Sequence, residues 1–269
     1  MRQDKISGAS EIEKKIILRV KKLLGKRRLF DECLSILSVY PSMASLWNIV
    51  NISFSLNKDE AEKEFVKMEN AGKKVIEHAK ELIKNATVIT HSRSSTVLKL
   101  LKECKNIKVI CTESRPRYEG RLLAKELCKK IDVTLVADSA IFSFIDKADL
   151  ILMGADAILN NNVVNKIGTS AIALYAMEKG KPFYIISSSY KTFPFVMLKE
   201  ESEKEIWREA PEGINIKNFY FDATPLRWIS YFITEKGISA EAPKFSMNIC
   251  KEVLEIRDKL EERGYLLVE

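Results

Sequence analysis

The residues best suited to chemistry are Asp156, Asn165 and Lys166, with Gly168-Thr169 just behind them. They follow an apolar run at 150–153 that reads as one buried strand, turning at Gly154-Ala155-Asp156. Beyond Thr169, residues 171–177 are apolar on nearly every side and read as a buried helix. A carboxylate, an amide, an ammonium and a helix start therefore gather past the carboxyl end of a strand. Ligands of open α/β sheets bind at those ends, and a helix start beside a lysine suits an anion.

Other strand ends carry similar groups. Short β-branched runs at 86–90, 108–112, 133–137 and 183–187 read as further strands, with 218–221 as a sixth. The first leads into His91-Ser92-Arg93-Ser94, whose hydroxyls can cap a helix and whose cation and amides can meet an anion. The second leads into Arg115-Pro116-Arg117, where guanidinium forks match phosphate unless Glu113 and Glu119 simply pair with them in solvent. Asp138 follows the third and either caps the next helix or faces a ligand. The fifth ends in three serines, Tyr190 and Lys191, and the sixth reaches Asp222. The candidate ligand-binding set is thus His91, Ser92, Arg93, Ser94, Arg115, Asp138, Asp156, Asn165, Lys166 and Lys191. Polar groups at so many ends of one rim point to a small anionic polyol, and a sugar phosphate fits best. No Gly-x-Gly-x-x-Gly and no Gly-Lys-Thr loop is present, so neither a dinucleotide fingerprint nor a Walker-type site is supported.

These groups need a scaffold. From residue 86 onward, strands alternate with segments of helical spacing, which implies parallel strands joined by right-handed crossovers: a doubly wound sheet. Before that, residues 11–82 read as helical. Ala61, Phe65, Met68, Gly72, Val75, Ala79 and Leu82 form one seam on a long helix. The expected organisation is an N-terminal helical domain, 1–85, and an α/β domain, 86–269. Residues 226–236, stopped by Gly237, and 247–263 are expected to be closing helices.

Composition narrows the classes. Apolar residues make up 46% of the chain, enough for a sizeable core, and no window is long and apolar enough to span a bilayer. The start of the chain lacks the apolar segment of a signal peptide, so a cytoplasmic protein is expected. The 44 basic and 37 acidic side chains leave +7, but they mix along helices and form no dedicated nucleic-acid surface. Abundant Lys, Glu and Ile accord with a thermophile. Five cysteines without a Cys-x-x-Cys pair read as reduced thiols, and two histidines make a metal site improbable. No cofactor and no metal is expected.

Taken together, Thr90-His91-Ser92, Thr112-Glu113-Ser114-Arg115-Pro116, Gly154-Ala155-Asp156, Asn165-Lys166-Ile167-Gly168-Thr169 and Lys181-Pro182-Phe183-Tyr184 resemble the translation initiation factor 2B alpha/beta/delta family. The resemblance covers nearly the whole chain, and that family includes archaeal proteins, ribose-1,5-bisphosphate isomerase and methylthioribose-1-phosphate isomerase among them. It implies a helical N-terminal domain, a Rossmann-like C-terminal domain, a homodimer through the latter or a higher oligomer, and a small phosphorylated ligand. In the isomerases resembled, a Thr-His-Cys cysteine works with the aspartate of Gly-Ala-Asp. Here the aspartate is kept as Asp156, the catalytic candidate if this chain is an isomerase, but Ser92 holds the cysteine position. A thiol can be tuned to exchange a proton near neutrality and a serine hydroxyl cannot. Ser7-Gly8-Ala9 and Tyr40-Pro41-Ser42 also replace two arginine-bearing motifs of the enzymes. The resemblance with these departures favours a regulatory protein that binds a sugar phosphate or nucleotide and acts on translation initiation factor 2 subunits. The alternative is an aldose–ketose isomerase in which His91 or Cys111 replaces the missing acid.

Overall fold

The computed structural model describes residues 8–269, so Ser7 lies outside the described residues. Four helices come first: α1 (Ala9–Lys21), α2 (Leu29–Val39), α3 (Ala44–Ser55) and α4 (Lys58–Ala79). Helix α4 begins with a capping box, in which Asn57 accepts from the Glu60 amide and the Glu60 carboxylate accepts from the Asn57 amide. Its seam is buried at Ala61, Phe65, Met68, Val75 and Ala79. Helix α3 is buried on all sides from Ala44 to Ser53, and its sequence, with no charged residue from Ala44 to Ser55, allows that.

The α/β part follows as β1 (Thr87–Thr90), α5 (Ser95–Glu103), β2 (Lys108–Thr112), α6 (Glu119–Leu127), β3 (Asp132–Val136) and β4 (Leu150–Met153). A 3-10 segment, Asp138–Lys147, joins the last two. Next come β5 (Ala157–Ile158), β6 (Asn162–Lys166), α7 (Thr169–Glu178), β7 (Phe183–Ile186), β8 (Val196–Leu198), β9 (Phe221–Pro225), β10 (Tyr231–Thr234), β11 (Gly237–Ser239), α8 (Lys251–Glu261) and β12 (Leu266–Val268). The main sheet has the order β11-β10-β7-β4-β1-β2-β3, parallel throughout except for β11. Strands β2 and β3 lie to one side of β1, and β4, β7 and β10 to the other. The direction of winding therefore reverses between β1 and β4, which opens a crevice at their carboxyl ends.

Two expectations are corrected. Residues 226–236 are not a helix: Leu226–Trp228 makes one 3-10 turn, then β10 and β11 form a hairpin through Gly237 at φ +119°. Gly237 does end the segment, but as a hairpin turn: Tyr231-Phe232-Ile233-Thr234 is aromatic and β-branched, and it finds an open place beside β7. That place also settles the sixth strand of the sheet, which is β10. Residues 218–221 do not join it; β9 starts at Phe221 and pairs antiparallel with β6 in a separate three-stranded sheet.

Three apolar clusters hold the layers. One face of the main sheet packs on α5, α6 and the second half of α4, and the other on α7 and the 3-10 segment. The third cluster joins α1–α4 to Phe193, Phe195, Val196, Met197 and α8, so it combines residues from both sides of position 85. Trp47 is its centre, with Phe193 stacked at 6.1 Å, Phe195 edge-on at 5.1 Å, and its indole N–H donating to Pro41 O at 2.8 Å. Among the described residues, no helix is long and apolar enough to cross a membrane. Trp47→Ala removes the largest side chain of this cluster and one of the two donors to Pro41 O, the other being the Met197 amide. It is expected to lower the free energy of unfolding by about 3–5 kcal/mol, measured by chemical denaturation; a loss below about 1 kcal/mol would mean that Trp47 does not hold the cluster.

Candidate functional site

A cavity of about 180 Å³ lies over the crevice between β1 and β4, many times the ~10–15 Å³ that one water needs. Its floor is the β1–α5 turn and the β4–β5 turn. Its roof comes from α1 and the α2–α3 turn, and its far wall from β6, β9 and the start of α6. Eight of the ten sequence candidates line it: His91, Ser92, Arg93, Ser94, Asp156, Asn165, Lys166 and Lys191.

The two others do not. Asp138 accepts from the Ser114 and Arg115 amides, both at 2.7 Å, so it braces the turn after β2 and caps no helix. The Arg115 guanidinium points outward, bonding Tyr118 and Ile206 O. Arg117, two residues on, is the arginine that enters the cavity, with its guanidinium 5.2 Å above the Tyr220 ring. Glu119, Lys199, Glu201 and Tyr220 also line it and were not among the candidates. Nothing in the local pattern of Arg115-Pro116-Arg117 separates the two arginines, since a two-residue alternation would put both on one side. The segment holding Lys199 and Glu201 has no strand or helix period that would have placed it.

Ser92 adopts φ +66°, a left-handed conformation that serine seldom takes. A directed chain of hydrogen bonds holds it. Its amide donates to Ser114 Oγ at 2.8 Å, which lies 3.0 Å from Thr112 Oγ1, itself 2.5 Å from His91 Nδ1. His91 Nε2 stands 2.8 Å from Ile167 O, and a carbonyl only accepts, so Nε2 carries the proton and Nδ1 receives one from Thr112. Burial pushes the imidazole pKa down, against the hydrogen bond to Ile167. His91 is therefore a neutral brace with both nitrogens engaged, not a spare acid. Cys111 is no substitute either: it belongs to β2 and packs in the core with residues of α5 and α6, outside the cavity, and burial pushes its thiol up to about 12.

The charged groups differ in how free they are. Lys166 is almost fully buried and paired with Glu119 at 3.0 Å, its ammonium 5.2 Å from the Tyr220 ring centre. Loss of hydration pulls its pKa down, and Glu119 opposes that. Arg93 is held by Glu126 at 2.6 Å. Asn165 donates from Nδ2 to Thr169 Oγ1 at 3.0 Å, which orders the start of α7. Lys191 donates to Ala155 O at 2.6 Å. Among the described residues Asp156 has backbone bonds only, to Val164 O and from Ala44 N–H, and it lines the cavity. Its carboxyl is held above the usual range, first by loss of hydration, with Lys191 pulling it down and Glu13 pushing it up. A carboxyl that leans toward its protonated form in a polar crevice can give and take protons. No cluster suited to a metal occurs among the described residues.

A raised carboxyl pKa also has a cost for folding. The folded chain binds this proton more tightly than the unfolded chain, so ionisation costs stability once the pH rises above the unfolded value. Asp156→Asn is therefore expected to raise Tm at about pH 7 and to lose that advantage near about pH 3, where both states hold the proton. Thermal unfolding at the two pH values checks this; an Asn variant less stable at neutral pH contradicts it.

Known proteins agree with this architecture. Residues 11–241 match the model of the initiation factor 2 subunit family. The chain is 36% identical over 232 residues to a ribose 1,5-bisphosphate isomerase of Archaeoglobus fulgidus, covering 76% of this chain and 73% of that one. It is also 36% identical over 259 residues to a putative translation initiation factor eIF-2B subunit 2-like protein of Pyrococcus furiosus, covering 88% and 93%. Among solved structures, the Pyrococcus horikoshii translation initiation factor eIF-2B superposes with a TM-score of 0.74 at 33% identity, over 87% of this chain and 92% of that one. The chain belongs to the initiation factor 2 subunit family.

Proposed function

We propose that the cavity binds a phosphorylated aldose and that the chain interconverts it with the ketose, Asp156 being the group that moves the proton. The observation that carries this reading is the Asp156 carboxyl itself, partly buried in the crevice and held above the usual carboxylate range by loss of hydration. For an aldose 1-phosphate such an isomerisation opens the ring at C1, moves one proton from C2 to C1 and one from the C2 hydroxyl to the former ring oxygen, with no net change in atoms, and a carboxyl beside those atoms can relay protons. Arg117, Lys166, Lys191 and the start of α5 supply positive potential for phosphate. Relatives named ribose 1,5-bisphosphate isomerase and methylthioribose-1-phosphate isomerase, at 36–38% identity, support it.

Ser92 favours a second reading. It lines the cavity where the isomerases resembled carry a thiol, and its hydroxyl cannot be tuned into an acid near neutrality. In that reading the site holds its ligand without turnover and reports occupancy to translation initiation factor 2 subunits, as a homodimer joined through the α/β part.

Turnover of ribose 1,5-bisphosphate separates the two. The expected result is slow product formation by the parent, a loss of about 10²-fold or more in Asp156→Asn, and a gain of about tenfold or more in Ser92→Cys. If calorimetry detects tight binding of the sugar phosphate while no product forms, the regulatory reading replaces the enzyme.

A further inference from the structure

Lys191 sits in a short loop after β7, a single 3-10 turn at Ser189–Lys191, yet its ammonium is almost fully buried and fixed on Ala155 O. A lysine on so short a loop stays in one place only if the backbone around it is held. Three side chains hold it. The Glu235 carboxylate accepts from the Ser189 amide at 2.9 Å and from the Ser189 hydroxyl. The Tyr190 hydroxyl donates to Glu64 at 3.1 Å. Asn48 Nδ2 donates to Tyr190 O at 2.8 Å and to Thr192 O at 2.9 Å. Of these, only Asn48 grips the chain on both sides of Lys191, by its two shorter contacts, while a third and longer one, 3.3 Å to Ala44 O, stays within its own helix. Asn48 is 4% exposed and is not part of the cavity wall.

The same helix also holds the other partner. Ala44, the first residue of α3, donates its amide to Asp156 O at 3.0 Å. Residues 44 and 48 stand one turn apart on one face of a helix buried on all sides. The backbones that carry Asp156 and Lys191 are thus pinned to a single rigid turn, and each reaches it by a direct hydrogen bond.

We propose that Asn48 is a positioning residue of the site: from outside the cavity it sets the distance between the Lys191 ammonium and the Asp156 carboxyl. This rests on the reading in which Asp156 handles the proton. Four charged groups bear on that carboxyl: Lys191 from the loop, Glu13 from α1, Lys166 from β6 and Glu119 from α6. Loss of hydration weighs most on that carboxyl, and of the four charges Lys191 has the strongest influence, so a shift of the loop that carries it changes how readily Asp156 gives up its proton.

The test is the titration of the Asp156 carboxyl, followed by NMR of ¹³C-labelled aspartate and assigned by the signal missing from Asp156→Asn. Lys191→Met is expected to raise the midpoint by roughly one pH unit or more. Asn48→Ala is expected to move it in the same direction, because two carbonyls lose their donor and the loop carries the ammonium away. Asn48→Ser, which keeps one donor, is expected to fall between Ala and the parent and serves if the Ala variant does not fold. A folded Asn48 variant that titrates with the parent overturns the proposal, and so does a Lys191→Met midpoint that does not move. Absence of turnover in the parent would remove the isomerase reading but leave this titration fully informative.

Discussion

Everything at this site depends on how closely the turn after β1 approaches the end of β4. At Gly154 a Cβ would stand 2.5 Å from Ser94 Oγ and 2.7 Å from Ser94 Cβ, distances that no side chain can occupy. The glycine lets the start of α5 lie directly against the turn that presents Asp156, and so brings two strand ends into one crevice. A second glycine does similar work on the neighbouring strand. A side chain at Gly120 would overlap the Thr112 carbonyl, so only glycine lets α6 begin hard against the end of β2. Glycine's usual conformational freedom is secondary at both positions; what counts is the absent side chain.

Polar groups drawn that close must satisfy one another, because a buried donor or acceptor without a partner costs more than a made bond returns. The chain from Ser92 through Ser114 and Thr112 to His91 and Ile167 is the result. It holds Ser92 in a left-handed conformation and leaves His91 neutral. Lys166 finds Glu119 and Arg93 finds Glu126. Asp156 differs from these: among the described residues no cation is hydrogen-bonded to its carboxyl in the same crevice. Its environment therefore appears as a shifted proton affinity and not as a bond.

The helical part does more than cover this crevice. Helix α3 reaches across it through the Ala44 amide and the Asn48 side chain, and Trp47 between them anchors the aromatic cluster with Phe193 and Phe195. The same cluster takes in α8 from the far end of the chain, so residues on both sides of the α4–β1 junction share one core.

Much of this was legible in the residues alone. Short continuous apolar, β-branched runs between helical stripes specify a doubly wound sheet, because strands buried on both faces must be covered by helices that bury one. The rim residues followed, since the carboxyl ends of parallel strands must lie on one side. Eight of the ten named from that rule line the cavity. What the sequence could not decide was direction and pairing. Arg115 and Arg117 are chemically alike, and only the fold of the turn sends one outward and the other in. Asp138 and His91 look like ligands by type, but become braces because a backbone amide or carbonyl of another segment arrives first. Residues 231–234 become a strand because β7 offers an open edge. Asn48 gave no signal at all, since the two loop carbonyls it grips lie more than a hundred residues away. Local chemistry fixes which groups are available; the long-range contacts of the folded chain decide which of them are already spent.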